Sequence, residues 1–538
     1  QEFWLDFSAD GGANWTIDAA QAYDASFGNG RHPHSFVVNP PGNTDPNNVY
    51  IGWAGAGLEG TNDAWGAKNY GVLKPDGTGL VINHETSDPA NGIGWVTQDD
   101  VHTTANGNAY MISQNLPFDG ADYIFNGLTV DKGVWNGSDF TWSSQSINHN
   151  FTIDVVSAQI SDSKIVFDAT GQVGYISMLG HDDFTLEPDS VYYPIIYKTT
   201  DAGATWNLHA RVRIQDLAGI TDYKINQLGA TAATDLTFTP TFEHSITLDA
   251  IGNLHIAFCG QFLLPDDAGF TYYLIKGNDG QQQTIWDVRS TDGQGGVGGS
   301  AGGNWVADLV AVPMAATGTL GSGANAYNMN NWVKTTIDPT RQYVGITWLD
   351  TDTVLWGSAN GNYTSDLFAR GYVCATNYWQ PASGKLTGNT VVDANVYFGG
   401  VSFYSKFTPT GTCGDGTLTM PYVALQDVNS NFVADPTQIN FIAATYDFTG
   451  CVGVKNNTSV SNTIGVFPNP TDNNTTLTYT LAANSTVSIE LYNVLGERAI
   501  TFAANENQSA GNHVENLDLS KLSSGVYFLR TTINGEVN

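Results

Sequence analysis

Arginine, histidine and carboxylate side chains decide by their spacing what this chain could catalyse or bind. Up to residue 451 the arginines are Arg31, Arg211, Arg213, Arg289, Arg341 and Arg370. Arg211 and Arg213 alternate, so on one strand they would share a face. His32-x-His34 offers two imidazoles to a metal, but no third ligand can be named, and a structural role is the stronger expectation. With 52 Asp and Glu residues, some pair will always match a glycosidase spacing, so carboxylate pairs single out nothing. Asp427-x-Asn429-x-Asn431, with Asp435 four further on, presents oxygens at a spacing that suits calcium. The glycine and glutamate of a full calcium loop are missing, and an ordinary Asx turn competes. No phosphate loop or zinc-protease motif is present. A role without catalysis is therefore the first expectation.

None of the four cysteines, Cys259, Cys374, Cys413 and Cys451, sits in a C-x-x-C motif. Cys259 lies in the apolar run Leu254–Gly260 and reads as a buried thiol. Cys413 with Cys451 is the disulfide expected in an oxidising compartment.

The elements that must carry these residues are short strands. Aromatics make up 12% of the chain and glycines number 59, while charged residues are only 13%, a composition of strands cut by tight turns. Hairpins recur: His34–Val38 with Val49–Gly55, Lys164–Asp168 with Val173–Met178, His244–Asp249 with Leu254–Gly260, and Thr335–Asp338 with Tyr343–Trp348. Ala109–Ile112 and Tyr422–Leu425 are fainter copies. Recurrence at some tens of residues with variable insertions predicts an all-β, six-bladed β-propeller over residues 1–451, with seven blades as the alternative. Closing such a ring predicts that Phe3–Phe7 pairs with strands near Tyr422–Gln426 and Asn440–Tyr446.

A second repeat is sharper. Ser8-x-Asp10-x-Gly12-x-x-Trp15 and Thr199-x-Asp201-x-Gly203-x-x-Trp206 share one pattern, and Ser290-Thr291-Asp292-Gly293, with Asn304-Trp305 after an insertion, is a degenerate third copy. Each resembles the Asp-box of sialidase-like (BNR-repeat) propellers. That resemblance implies a turn between the third and fourth strands of a blade, in which Asp accepts turn amides, Gly takes a special conformation and Trp packs beneath. Such boxes are structural and lie away from the active face. Sialidase chemistry would further require three arginines on a carboxylate, a Tyr–Glu pair and an Asp. Gly30-Arg31-His32-Pro33 only faintly resembles the family's Arg-Ile-Pro motif, because His replaces Ile and the preceding aromatic is absent.

Residues 452–462 (VGVKNNTSVSN) are polar and lack alternation, as a linker does. Then Pro468-Asn469-Pro470, Tyr492-Asn493-Val494-Leu495-Gly496 and Gly525-Val526-Tyr527 follow in order across 463–538. This trio resembles the type A C-terminal sorting domain of type IX secretion substrates from Bacteroidota. The resemblance implies a small immunoglobulin-like β-sandwich, handled by the translocon and its outer-membrane shuttle protein. The family is expected to continue past this turn with a lysine-bearing strand, and the sequence here reads Asn534-Gly535-Glu536-Val537-Asn538. Asp189-Ser190-Val191 and Asp352-Thr353-Val354 fit the Bacteroidota O-glycosylation pattern.

The chain opens on the strand-like Glu2–Phe7 with no basic, apolar leader, as expected of a mature protein whose signal peptide has been removed. No stretch of about 18 apolar residues exists to span a membrane as a helix. A formal net charge of −32 makes nucleic acid and bare membrane poor partners. The expectation is an extracellular or outer-membrane surface protein that binds a glycan or a protein partner. The alternatives are a glycoside hydrolase of sialidase type and a structural subunit of a surface assembly.

Overall fold

The computed structural model describes residues 3–8, 10, 13–22, 30–45, 48–59, 64–86, 95–116, 125–149, 162–182, 191–230, 232, 236–263, 284–296, 304–313, 332–351, 365–380, 384–386, 396–410, 415–427, 437–448, 465–469, 471, 473–481, 484–493, 498–523, 525–533 and 536–537. The chain divides into two compact units, Gln1–Cys451 and Val452–Asn538.

The first unit is a succession of antiparallel sheets. The first sheet holds Gly30–Val38, Tyr50–Glu59, Ala64–Leu73 and Val81–Thr86; the second holds Trp95–Thr103, Asn108–Leu116, Gly127–Trp135 and Phe140–Asn148. The third comprises Asp162–Phe167, Gly174–Gly180, Tyr193–Thr199 and Asn207–Arg211, and the fourth Thr237–Leu248, Leu254–Leu263, Thr284–Ser290 and Trp305–Ala311. In the fifth, Lys334–Ile337, Tyr343–Thr351 and Ser365–Val373 run in order, with the short strands Tyr378–Trp379 and Gly384–Lys385 both pairing the last. In the sixth, Gly416–Asp427 pairs Val396–Val401 and Lys406–Pro409 on one side and Thr437–Phe448 on the other. Among the described residues the first unit has one helix of more than a single turn, Ala218–Asn226 after the third sheet.

The first strands of successive sheets pack side by side in chain order. Side chains stitch them together: Asp100 accepts Ile165 N, Asp162 accepts His244 N, and Ser245 Oγ accepts Thr335 N. Second and third strands such as Gly174–Gly180 and Thr284–Ser290 are buried along their whole length, whereas Phe140–Asn148 alternates as an outer strand must. Sheet-to-sheet packing of Phe167, Tyr175, Ile176, Phe238, Ile256 and Trp286 forms the largest apolar core.

Phe3–Phe7 departs from expectation. It pairs with its own neighbour Thr16–Ala22, Phe3 standing opposite Ala22, and with neither strand of the 416–448 region. The short turn between the two strands brings this partner in at little loop-closure cost, before any distant strand can compete. Trp15 still reaches that region, its ring 5.3 Å from the ring of Phe441.

The second unit contains two antiparallel sheets. One is Gly465–Phe467, Asn474–Leu481 and Gly511–Asp518; the other is Arg498–Gln508, Ser485–Asn493, Tyr527–Ile533 and Glu536–Val537. Their alternating strands bury Leu477, Tyr479, Val487, Ile489 and Leu517 in a core of their own.

Candidate functional site

One end of the third sheet collects ionisable side chains from four chain segments. Gly180 pairs with Tyr193 and Ile195 with Arg211, so the end of the second strand, the start of the third and the end of the fourth meet there. Asp182 follows the second strand, and His149 arrives from the end of the second sheet. Tyr193 and Tyr197, four apart on one strand, share a face. Asp182 and Tyr193 are fully buried; His149 and Tyr197 are each 7% exposed.

Asp182 is the hub. Its Oδ2 accepts Arg211 Nε at 2.6 Å and meets His149 Nε2 at 3.0 Å, while Oδ1 accepts the Tyr193 hydroxyl. His149 Nδ1 lies 2.7 Å from the Tyr197 hydroxyl. A carboxylate on Nε2 selects the tautomer with the proton there, which leaves the Nδ1 lone pair to accept the phenol proton. Burial opposes ionisation of Asp182, but hydrogen bonds from His149, Tyr193 and Arg211 outweigh it and hold the carboxyl at about 2. Burial pushes Tyr193 and Tyr197 up. The result is an Asp–His–Tyr relay with an arginine beside it.

The first strands add a second ionisable group. Asp162 meets His244 Nδ1 at 3.1 Å and Lys164 Nζ at 2.5 Å, and His244 Nε2 lies 3.0 Å from Ser177 Oγ. Burial raises Asp100 to about 6, against the pull of Lys164.

The opposite end of the sheets carries the turns. Asp201 Oδ1 accepts Thr205 N at 2.9 Å and Asp10 Oδ1 accepts Asn14 N at 2.8 Å. Thr199 Oγ1 and Ser8 Oγ donate to the same two carboxylates. Gly203 takes the left-handed conformation, φ 75°, and a Cβ there would come within 2.8 Å of the Tyr110 ring, so both the backbone and the space call for glycine. Trp206 packs against Phe167. Trp15 does not sink in the same way and stays 39% exposed, since its turn caps a two-stranded ribbon. Asp292 Oδ1 accepts the amides of Gln294 and Gly296, so the degenerate copy turns similarly.

The described arginines are dispersed rather than convergent. Arg213 lies beyond the strand that ends at Arg211 and pairs with Asp216, so the two do not share a face. Arg289 bonds Asp308, and Arg370 bonds the carbonyls of Gln380 and Leu309. Arg341 stands at φ 58°, where the equivalent turns place Gly171 and Gly252, and its guanidinium donates to Leu248 O and Phe167 O. No three of these five meet on one ligand position. A bulge between Arg31 and His34 breaks the alternation assumed for His32 and His34.

Cys259 and Cys374 are both buried thiols. Gly12, Cys413, Asn429, Asn431, Asp435, Cys451, Pro470 and Gly496 lie outside the described residues, as do Asp189, Ser190 and the 352–354 tripeptide; Asp427 ends the strand Gly416–Asp427. Pro468 O accepts Thr475 Oγ1 at 2.9 Å, Asn469 follows it in a bend, and Tyr527 Oη donates to Ser523 O two residues before Gly525. No helix among the described residues is long and apolar enough to cross a membrane.

Residues 465–538 match the secretion system C-terminal sorting domain family, so the second unit carries a sorting domain of that kind. No curated protein matches the chain. Solved structures similar to it include an ulvan lyase of a polysaccharide lyase family, at 12% identity, covering 74% of this chain and 82% of that one with a TM-score of 0.36. Another is an exo-1,5-α-L-arabinanase from a bovine ruminal metagenomic library, at 12% identity, covering 61% and 90% with a TM-score of 0.26. A third is a glycosyl hydrolase from Bacteroides ovatus, at 9% identity, covering 65% and 84% with a TM-score of 0.26. Likeness this distant transfers no chemistry.

Of the site residues, sequence reasoning singled out Arg211 alone. The polar His181-Asp182 pair that ends the apolar run Gly174–Gly180 is the signal available for the rest.

Proposed function

We propose that the chain is a type IX secretion substrate whose first unit is a propeller of six blades, or seven if the Phe3–Ala22 ribbon belongs to a blade of its own. Its Ser8–Trp15 and Thr199–Trp206 turns act as Asp-boxes, and its second unit is an immunoglobulin-like sorting sandwich. The activity we assign is cleavage of an extracellular, uronate-bearing glycan by proton transfer at the His149–Asp182–Tyr197–Arg211 site. The Asp182–His149–Tyr197 relay carries this reading.

The residues suit β-elimination. Tyr197 passes its hydroxyl proton to His149 Nδ1 and takes the C5 proton of a uronate. Arg211 offsets the charge that collects on the sugar carboxylate, the C4–O4 bond breaks, a C4–C5 double bond forms, and the departing oxygen recovers a proton from the relay. Asp182 stabilises the imidazolium and fixes the ring. The alternative is a glycan or protein binder without turnover, favoured by the saturation of both Asp182 oxygens.

Full-length protein incubated with uronate polysaccharides should generate the ultraviolet absorbance of unsaturated sugar ends, and neutral glycans should not. Tyr197→Phe keeps the ring and should lower that rate by about 100-fold or more. A wild-type rate in Tyr197→Phe, or tight binding with no cleavage, would remove the enzymatic reading. Deleting residues 452–538 should leave the first unit inside a type IX-competent host.

A further inference from the structure

We infer that the boundary between the fourth and fifth sheets is a binding site for a thiophilic divalent cation, zinc by preference, held by Asp249, His255 and Cys374. A repeat between the sheets, and a departure from it, mark the place. In the second and third sheets, a Tyr on the second strand stands opposite a Lys on the third: Tyr110 with Lys132, and Tyr175 with Lys198. These pairs grip the turn of the following sheet by its backbone. Tyr110 Oη and Lys132 Nζ both donate to Ala202 O, at 2.9 and 2.6 Å, and Lys198 Nζ donates to Gln294 O at 2.8 Å.

In the fourth sheet the corresponding register pair is His255 with Arg289. The turn of the fifth sheet that faces it presents the thiol of Cys374 instead of a carbonyl to grip. Asp249, from the turn between the first two strands of the fourth sheet, completes the group. Ligand atoms of the three residues all lie within 4.8 Å of one another, and all three residues are buried.

The orientations are those a metal needs. Asp287 Oδ2 takes the His255 Nδ1 proton at 2.9 Å, the carboxylate–histidine arrangement that turns the other nitrogen toward a cation. His255 Nε2 is completely buried and makes no hydrogen bond among the described residues. It faces Asp249 Oδ2 at 3.6 Å, too long for a hydrogen bond but near the separation of about 3.4 Å between two ligands on one tetrahedral zinc. Asp249 is itself fixed, because Oδ1 accepts Ile251 N and Asn253 N at 3.0 and 2.8 Å and Oδ2 accepts Asn253 Nδ2 at 3.1 Å, which leaves the second lone pair of Oδ2 for the cation. A thiolate, an imidazole and one carboxylate favour zinc, cobalt or copper over calcium or magnesium. Bound there, the ion ties the fourth sheet to the fifth.

The test uses full-length protein purified without chelator. Elemental analysis should find stoichiometric zinc. Exchange with cobalt should give the near-ultraviolet thiolate-to-cobalt band, and a strong chelator should lower Tm. Cys374→Ser should lose the band while Cys259→Ser, at the other buried thiol, retains it. The cobalt spectrum of the unaltered protein needs no variant to fold. If that protein takes up neither zinc nor cobalt and its Tm ignores chelator, the metal site does not exist.

Discussion

At the turn end of the third sheet, Asp201 finds its partners within four residues of itself, in Thr199 and Thr205. At the other end, Asp182 draws on His149, 33 residues back, and Arg211, 29 residues ahead. The first arrangement is local, so its stability belongs to one turn and a break there stays confined. The second is tertiary: it forms only when the second and third sheets are both in place, and it buries a carboxylate whose loss strands an arginine and a histidine together. Local networks build the scaffold, and long-range ones hold groups in states that solvent would not allow.

Asp182→Asn should show the largest effect. Removing the charge that Arg211 and His149 share should cost about 3–4 kcal/mol in denaturant unfolding. The wild-type carboxylate sits at about 2 when folded and about 3.9 when unfolded. Its contribution is therefore complete above pH ~4 and lost as pH falls towards ~2, and the variant should lack that slope. An equal acid slope in both proteins would mean that Asp182 is not the hub.

Arg341 sharpens the comparison, because it is one residue in a strained turn with long-range bonds. Arg341→Ala leaves the carbonyls of Phe167 and Leu248 without its guanidinium, costing about 2–3 kcal/mol. Arg341→Gly should recover about 1 kcal/mol of this by relieving the positive φ. If Gly proves no better than Ala, the backbone there is unstrained.

Smaller still, Gly203→Ala should cost about 1–2 kcal/mol, from its φ of 75° and the contact with Tyr110. Asp10→Ala should cost least, since its turn is exposed and its bonds are to Ser8 and Asn14. Unfolding midpoints that reverse this order would show that the first turn, not the second, organises its neighbourhood.

The same contrast sets how far the residues could be read in advance. Asp10, Asp201 and the hairpin alternation are local codes, and the strand content follows from them. The pairing of Phe3–Phe7 was misjudged because ring closure weighs a distant strand above the neighbour that the turn supplies. Trp15 was expected to be buried because its motif matches that of Trp206, yet burial depends on the sheet beyond. His149, Asp182 and Tyr197 carry no shared spacing at all; only the sheet register brings them together. The cluster of Asp249, His255 and Cys374 is equally silent, visible only against the Tyr–Lys pairs it replaces.

Product chemistry tests the central claim most directly. Full-length protein should be incubated with a uronate polysaccharide in heavy-oxygen water and the new chain ends read by mass spectrometry. Elimination gives unsaturated ends without heavy oxygen, because it breaks the C4–O4 bond without adding water. Ends that carry heavy oxygen and no double bond, or a polysaccharide left intact, would contradict it.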